Sequence, residues 1–129
     1  MILLDTHTLI WLSLDPSKIP KSTLILIEKS SRNKTLFISD ISFWEVANAV
    51  KKKRLIIPID LDVYFNLILE TWNINVIPIS HQIAILSTNL VMHKDPADRL
   101  ICATTIILNA KLISKDKLIT KANVVEVLW

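Results

Sequence analysis

An acid standing at a helix entrance just past a short apolar run recurs four times in this chain, and no other feature restricts the fold as much. Met1-Ile-Leu-Leu ends at Asp5, Leu36-Phe-Ile-Ser leads into a helical stretch carrying Glu45, and Lys111-Leu-Ile-Ser leads to Asp116. The fourth case is His93-Lys-Asp-Pro-Ala-Asp-Arg-Leu-Ile-Cys-Ala103, where Asp95 and Asp98 open a helix that turns almost wholly apolar. Apolar strands of about four residues alternating with helices of a dozen or so predict an α/β fold. The sheet should be mostly parallel, with helices on both faces in an α/β/α sandwich.

Each acid also has a purely local reading. Proline suits the first helical position, where its missing N–H would be unpaired anyway, so Asp95 is the expected N-cap and Pro96 the first helical residue. Asp98 then falls at the third position, where it meets the positive helix end and can bond back to the cap. Asp5 is likewise an expected N-cap. Ser42 and Glu45 match the capping-box spacing S-x-x-E inside a predicted helix from Asp40 to Arg54, whose cations Lys51, Lys52, Lys53 and Arg54 suit its negative end. Further helices are expected over Lys21–Ser31, with Leu24, Ile25 and Ile27 inward, over Leu61–Trp72, with Val63, Leu67 and Ile68 on one side, and from Ser80 to Asn89. Asn75 to Ile79 and Val124 to Trp129 complete the expected strands.

The 129 residues contain no glycine, which removes whole classes of chemistry. Loops that cradle phosphate need glycine so that backbone can approach the ligand, so neither a P-loop nor a dinucleotide fingerprint is possible. A chain of this length is one domain, residues 1–129, able to bury a core without disulfides. Its single cysteine, Cys102, can form no internal disulfide and reads as a packed core thiol in a reducing, cytoplasmic protein. No run approaches the ~20 apolar residues of a membrane span. The amino terminus lacks the basic start of a signal sequence and is interrupted by Asp5 and His7. The hydrophobic fraction of 51% and mean hydropathy of +0.44 leave apolar surface for a partner, and the net charge of +3 fits a polyanionic ligand.

In open parallel sheets ligands bind beyond the carboxyl ends of the strands. Asp5, Glu45, Asp98 and Asp116 all reach that edge in the expected fold, and four structural coincidences on one rim are less economical than one shared cause. Clustered carboxylates raise one another's pKa values and call for a cation. Oxygen donors without His or Cys point to Mg²⁺ or Mn²⁺. Such an ion, holding water and a substrate phosphate, is equipped for phosphodiester hydrolysis.

These blocks, together with Ser39-Asp-Ile-Ser-Phe-Trp-Glu-Val-Ala, resemble the acidic blocks of PIN domains, and more narrowly VapC-type toxins of bacterial toxin–antitoxin pairs. The likeness spans nearly the whole chain in the right order, and His-Lys-Asp-Pro-Ala-Asp-Arg is its most specific part. It implies a PIN-like fold and a Mg²⁺- or Mn²⁺-dependent endoribonuclease leaving a 5′-phosphate and a 3′-hydroxyl. By the same resemblance Asp5, Glu45, Asp98 and Asp116 form the metal site, with Thr6 and Ser114 as polar neighbours and Asp95 as a cap or supporting residue. A homodimer and a VapB-like antitoxin covering the acidic site are implied as partners, and Trp11, Trp44 and Trp72 are compatible with such interfaces. A receiver-like phosphoacceptor would want paired acids after the first strand, whereas Asp5 stands alone. A non-catalytic binding module would be expected to have lost one of the four acids.

Overall fold

The computed structural model describes residues 1–129. In chain order the elements are β1 (Ile2–Leu4), α1 (Thr6–Leu14), a 3₁₀ turn (Pro16–Lys18), α2 (Lys21–Arg32), β2 (Leu36–Ser39), α3 (Ile41–Lys51) and α4 (Leu61–Thr71). They continue as β3 (Asn75–Ile77), α5 (His81–Asn89), α6 (Pro96–Ile107), β4 (Lys111–Ile113), α7 (Lys117–Ala122) and β5 (Val127–Leu128). The strands form one sheet in the order β3-β2-β1-β4-β5, and every pairing is parallel. β1 therefore lies between β2 and β4. A receiver-like sheet, ordered 2-1-3-4-5, would set it between β2 and β3, so that alternative topology is excluded.

Strands buried on both faces read as continuous apolar runs, and the period of two divides their side chains between two cores. Ile2, Leu4, Leu36, Ile38 and Ile113 point to one side, where Leu9, Leu12, Ile27 and Ile68 of α1, α2 and α4 cover them. Leu3 and Leu112 point to the other, against Ile101 and Cys102 of α6 and Ile119 of α7. The parallel register Leu3↔Leu112 and Leu4↔Ile113 keeps the two sets separate across the β1–β4 junction. Burying each of these side chains contributes about 1.5–3 kcal/mol.

Helix facing differs from the sequence reading in two helices, α2 and α4. Ile25 is exposed, and α2 turns Thr23, Ile27, Ser30 and Ser31 inward instead. In α4 the inward residues are Tyr64 and Ile68, while Val63 and Leu67 face outward. The reason lies in a polar anchor that hydropathy does not reveal: the Tyr64 hydroxyl bonds the Ser13 hydroxyl of α1 at 2.5 Å, which fixes the rotation of α4. Helix α3 is also shorter than expected and stops at Lys51.

That stop is one of several built without glycine. Lys34, Lys53, Asn73 and Asn109 each take a left-handed conformation, with φ of 57°, 57°, 49° and 51°, just past a helix end. In each case two backbone bonds close the helix, as when Lys34 N–H donates to Ser31 and Thr35 N–H to Ser30. This is the Schellman geometry, in which glycine is the usual residue because a Cβ is disfavoured at positive φ.

Candidate active site

β1 ends at the point where the chain's windings diverge to either side, and Asp5 is the first residue beyond it. Its N–H continues the sheet ladder by donating to the Ile113 carbonyl at 3.1 Å. The carboxylate is 4% exposed and accepts two bonds: Oδ1 from Thr8 N–H at 2.8 Å, as the expected N-cap of α1, and Oδ2 from the Ser114 hydroxyl at 2.5 Å. Ser114 closes the other end by accepting from Asp116 N–H at 3.0 Å. Asp5, Ser114 and Asp116 are thereby tied together across the β1–β4 junction. Asp116 caps α7 through Oδ1, which accepts from Leu118 and Ile119 N–H, and its second carboxylate oxygen stays free for other use.

Glu45 enters from α3. The capping box expected with Ser42 does not form, because Ser42 lies within the helix and Asp40 occupies the N-cap position. Thr6 at the start of α1 takes over: its hydroxyl donates to Glu45 Oε1 at 2.5 Å and lies 2.9 Å from the Ser42 hydroxyl. Oε2 is left free. Asp98 enters from α6, where Asp95 is the N-cap as expected, accepting from Ala97 and Asp98 N–H. Asp98 does not bond back to that cap. Its Oδ2 accepts from His93 Nε2 at 2.7 Å, and His93 Nδ1 is buried without a partner.

Two residues of this arrangement escaped the sequence reading. His93 has no metal-ligand spacing with the other histidines, and its partner is an acid five positions on. Arg99 is the second: its guanidinium donates to the carbonyls of Ser87, Leu90, Met92 and His93 at 2.8–3.0 Å. It pins the irregular segment between α5 and α6 and so holds His93 against Asp98. The only available signal was the density of polar residues in His93-Lys-Asp-Pro-Ala-Asp-Arg99.

Electrostatically the acids are uncompensated. The close acid–base pairs in the chain are His93–Asp98 and Lys111–Glu126, so no lysine or arginine neutralises Asp5, Glu45, Asp95, Asp98 or Asp116. Burial pushes the Glu45 carboxyl above its ordinary pKa, the Thr6 bond opposes this, and repulsion from Asp98 and Asp95 adds to it. Asp98 is raised for the same first reason, with the His93 bond opposing and Asp95 and Asp116 adding. Beneath them the buried Cys102 thiol is pushed up to about 12 by burial and by the field of Asp98, Asp116 and Asp5. It is a core thiol held protonated. No three Asp, Glu, His or Cys side chains stand close enough together to hold a metal ion between them. The arrangement is an open rim of carboxylates, each steadied by one or two donors.

Comparison with known proteins follows the same lines. The chain is 28% identical over 118 residues to the Ribonuclease VapC22 of Mycobacterium tuberculosis, covering 90% of this chain and 87% of that protein. A crystal structure of VapBC2 from Rickettsia felis, bound to a DNA fragment from its promoter, superposes with a TM-score of 0.70 at 19% identity, over 99% of this chain and 98% of that one. A toxin-antitoxin complex from Klebsiella pneumoniae gives 0.67 at 24% identity, over 100% and 97%. These likenesses establish the fold, and the PIN domain family model matches residues 2–124, so the chain belongs to the PIN domain family.

Proposed function

We propose that this protein is a metal-dependent endoribonuclease that acts as the toxin of a toxin–antitoxin pair. The observation that carries the reading is the rim of uncompensated carboxylates at the carboxyl edge of a parallel sheet in a PIN domain. The naming of a relative as a ribonuclease, and of structural neighbours as VapBC or toxin-antitoxin complexes, supports RNA as substrate and a small antitoxin of VapB type as partner. The donors fit a hard divalent cation, Mg²⁺ or Mn²⁺: all are oxygens, none is paired with a lysine or arginine, and such ions need few carboxylates because they retain water.

Asp5, Glu45, Asp98 and Asp116 would hold the ion. When bound it supplies Lewis acidity, lowering the pKa of an attacking water and neutralising phosphate charge. The protein's own contribution is orientation. Ser114 and Thr8 fix Asp5, Thr6 holds Glu45 through Oε1, and His93 holds Asp98 through Oδ2, which leaves one carboxylate oxygen of Glu45 and one of Asp98 unbonded. Water attacks phosphorus in line and the bond to the 3′ oxygen breaks, leaving a 5′-phosphate and a 3′-hydroxyl. A homodimer and a cytoplasmic setting belong to the same reading. The lone buried Cys102 fits a reducing compartment, and no helix is long and apolar enough to cross a membrane.

The test is cleavage of a mixed pool of structured RNAs by partner-free protein in Mn²⁺, in EDTA, and with Asp5→Asn in Mn²⁺, with end groups mapped. Asparagine keeps the N-cap of α1, and a thermal melt confirms that the variant is folded. Metal-dependent cuts with 5′-phosphates that vanish in the variant support the reading. Absence of both cleavage and Mn²⁺ binding in the wild type refutes it.

A further inference from the structure

Between α1 and α3 lies a cavity of about 380 Å³ whose walls include His7, Trp11, Trp44, Glu45, Asn48 and Arg54. Its size is within the ~300–1,000 Å³ of small-molecule sites, and through Glu45 it opens onto the acidic rim. A second hollow, of about 230 Å³, shares His7 and Trp11 with it and continues past Asp5 and Asp116 to Lys115. The two hollows share the His7 and Trp11 wall, and between them they are lined by Glu45, Asp5 and Asp116 of the rim and by the cations Arg54 and Lys115.

The walls are unusual for a folded surface. Trp44, one residue before Glu45, is 61% exposed, belongs to neither core and stacks on no other ring. Trp11, across the cavity, packs with its ring 5.6 Å from that of Trp129 and 6.0 Å from that of His7. Lys18 and Lys115 sit 5.9 and 5.7 Å from its centre. Asn48 brings an amide with both donors and an acceptor into the same cavity, and Arg54 forms no ion pair. A free aromatic face, a two-way hydrogen-bonding edge and an unpaired cation beside a phosphate-cleaving rim are the groups that recognise a splayed-out base. Such a base stacks on an aromatic and is read along its pairing edge.

Resting on the endoribonuclease reading, we propose that the cavity between α1 and α3 is the subsite for one unpaired nucleobase beside the scissile phosphate. The base stacks on Trp44, Asn48 meets its hydrogen-bonding edge, and Arg54 meets the flanking phosphate. Bases in a duplex are stacked and paired and cannot enter, so the substrate is a single-stranded loop or end.

The experiment measures equilibrium binding of labelled single-stranded RNA pentamers, and of pentamers abasic at each position in turn, to the intact Asp98→Asn protein. The same is done after adding Trp44→Leu, Asn48→Ala or Arg54→Gln, with melting temperatures to confirm folding. The expected result is a single position at which base removal weakens binding about tenfold, as for loss of one stacked base. Trp44→Leu should abolish that difference and Asn48→Ala should change which base is preferred. Arg54→Gln should lower the salt slope by about 0.7, the value for one phosphate contact on a single strand. Binding that ignores both the abasic site and Trp44→Leu, in a protein whose wild type cuts RNA, overturns the subsite and leaves the nuclease standing. No RNA binding together with no cleavage by the wild type overturns both. If Trp44→Leu does not fold, the abasic series and Asn48→Ala still decide.

Discussion

The Thr6 hydroxyl donates to Glu45 Oε1 at 2.5 Å across the gap between α1 and α3. This bond opposes the burial that raises the Glu45 pKa, so removing it should raise that pKa further. Thr6→Val keeps the shape and loses the donor. The acid limb of the pH–cleavage profile is then expected to move to higher pH, with weaker Mn²⁺ binding at neutral pH. A profile identical to wild type would show that Thr6 does not tune this carboxyl.

Glu45 and Asp98 both carry raised pKa values in the fold. A folded acid with a raised pKa holds its proton to higher pH than the unfolded chain does, so the metal-free protein loses stability as pH rises from the ordinary carboxylate pKa through the raised one. Asp98→Asn should flatten that loss, and metal-free Asp98→Asn should melt no lower than wild type at pH 7. Divalent cation reverses the ranking: at a hundred times its Kd it stabilises wild type by about 2.7 kcal/mol and the variant by much less. Thermal melts across pH, with and without Mn²⁺, measure both effects.

Arg99 satisfies the carbonyls of Ser87, Leu90, Met92 and His93 with one guanidinium. Lysine is a point charge and cannot span them, so Arg99→Lys should destabilise the fold by roughly 3 kcal/mol, within the range for broken charged hydrogen bonds. The loss should be focused. Hydrogen exchange is expected to speed most between Ser87 and Asp98, and cleavage should fall as His93 loosens from Asp98.

The left-handed lysines offer a prediction of opposite sign. Lys34 adopts φ 57° on an exposed helix end, and Lys34→Gly should stabilise by about 0.5–1 kcal/mol because the Cβ penalty at positive φ exceeds the entropy glycine adds to the unfolded chain. Asn109→Val at φ 51° should destabilise by a comparable or larger amount. Denaturant midpoints with unchanged slopes would measure each.

How much of this could be read from the residues depends on how far apart the interacting groups lie. The alternation of apolar runs and helices revealed the parallel sheet, and the caps Asp5 and Asp95 were legible because each bonds an N–H within three residues. Ser42 and Glu45 misled because the local box competes with a donor 39 positions away on α1. Val63 and Leu67 misled because hydropathy ranks them above Tyr64, whose hydroxyl finds Ser13. The end of α3 was overrun because its stop is a lysine where the usual signal is glycine.

The bond between Ser114 and Asp5 joins residues 109 positions apart, and the acids of the rim come from four stretches spread over nearly the whole chain. Fold topologies dominated by such distant pairings also form slowly. The rim is therefore a product of tertiary closure and not of any one segment, and any event that parts β4 from β1 also parts Asp116 from Asp5.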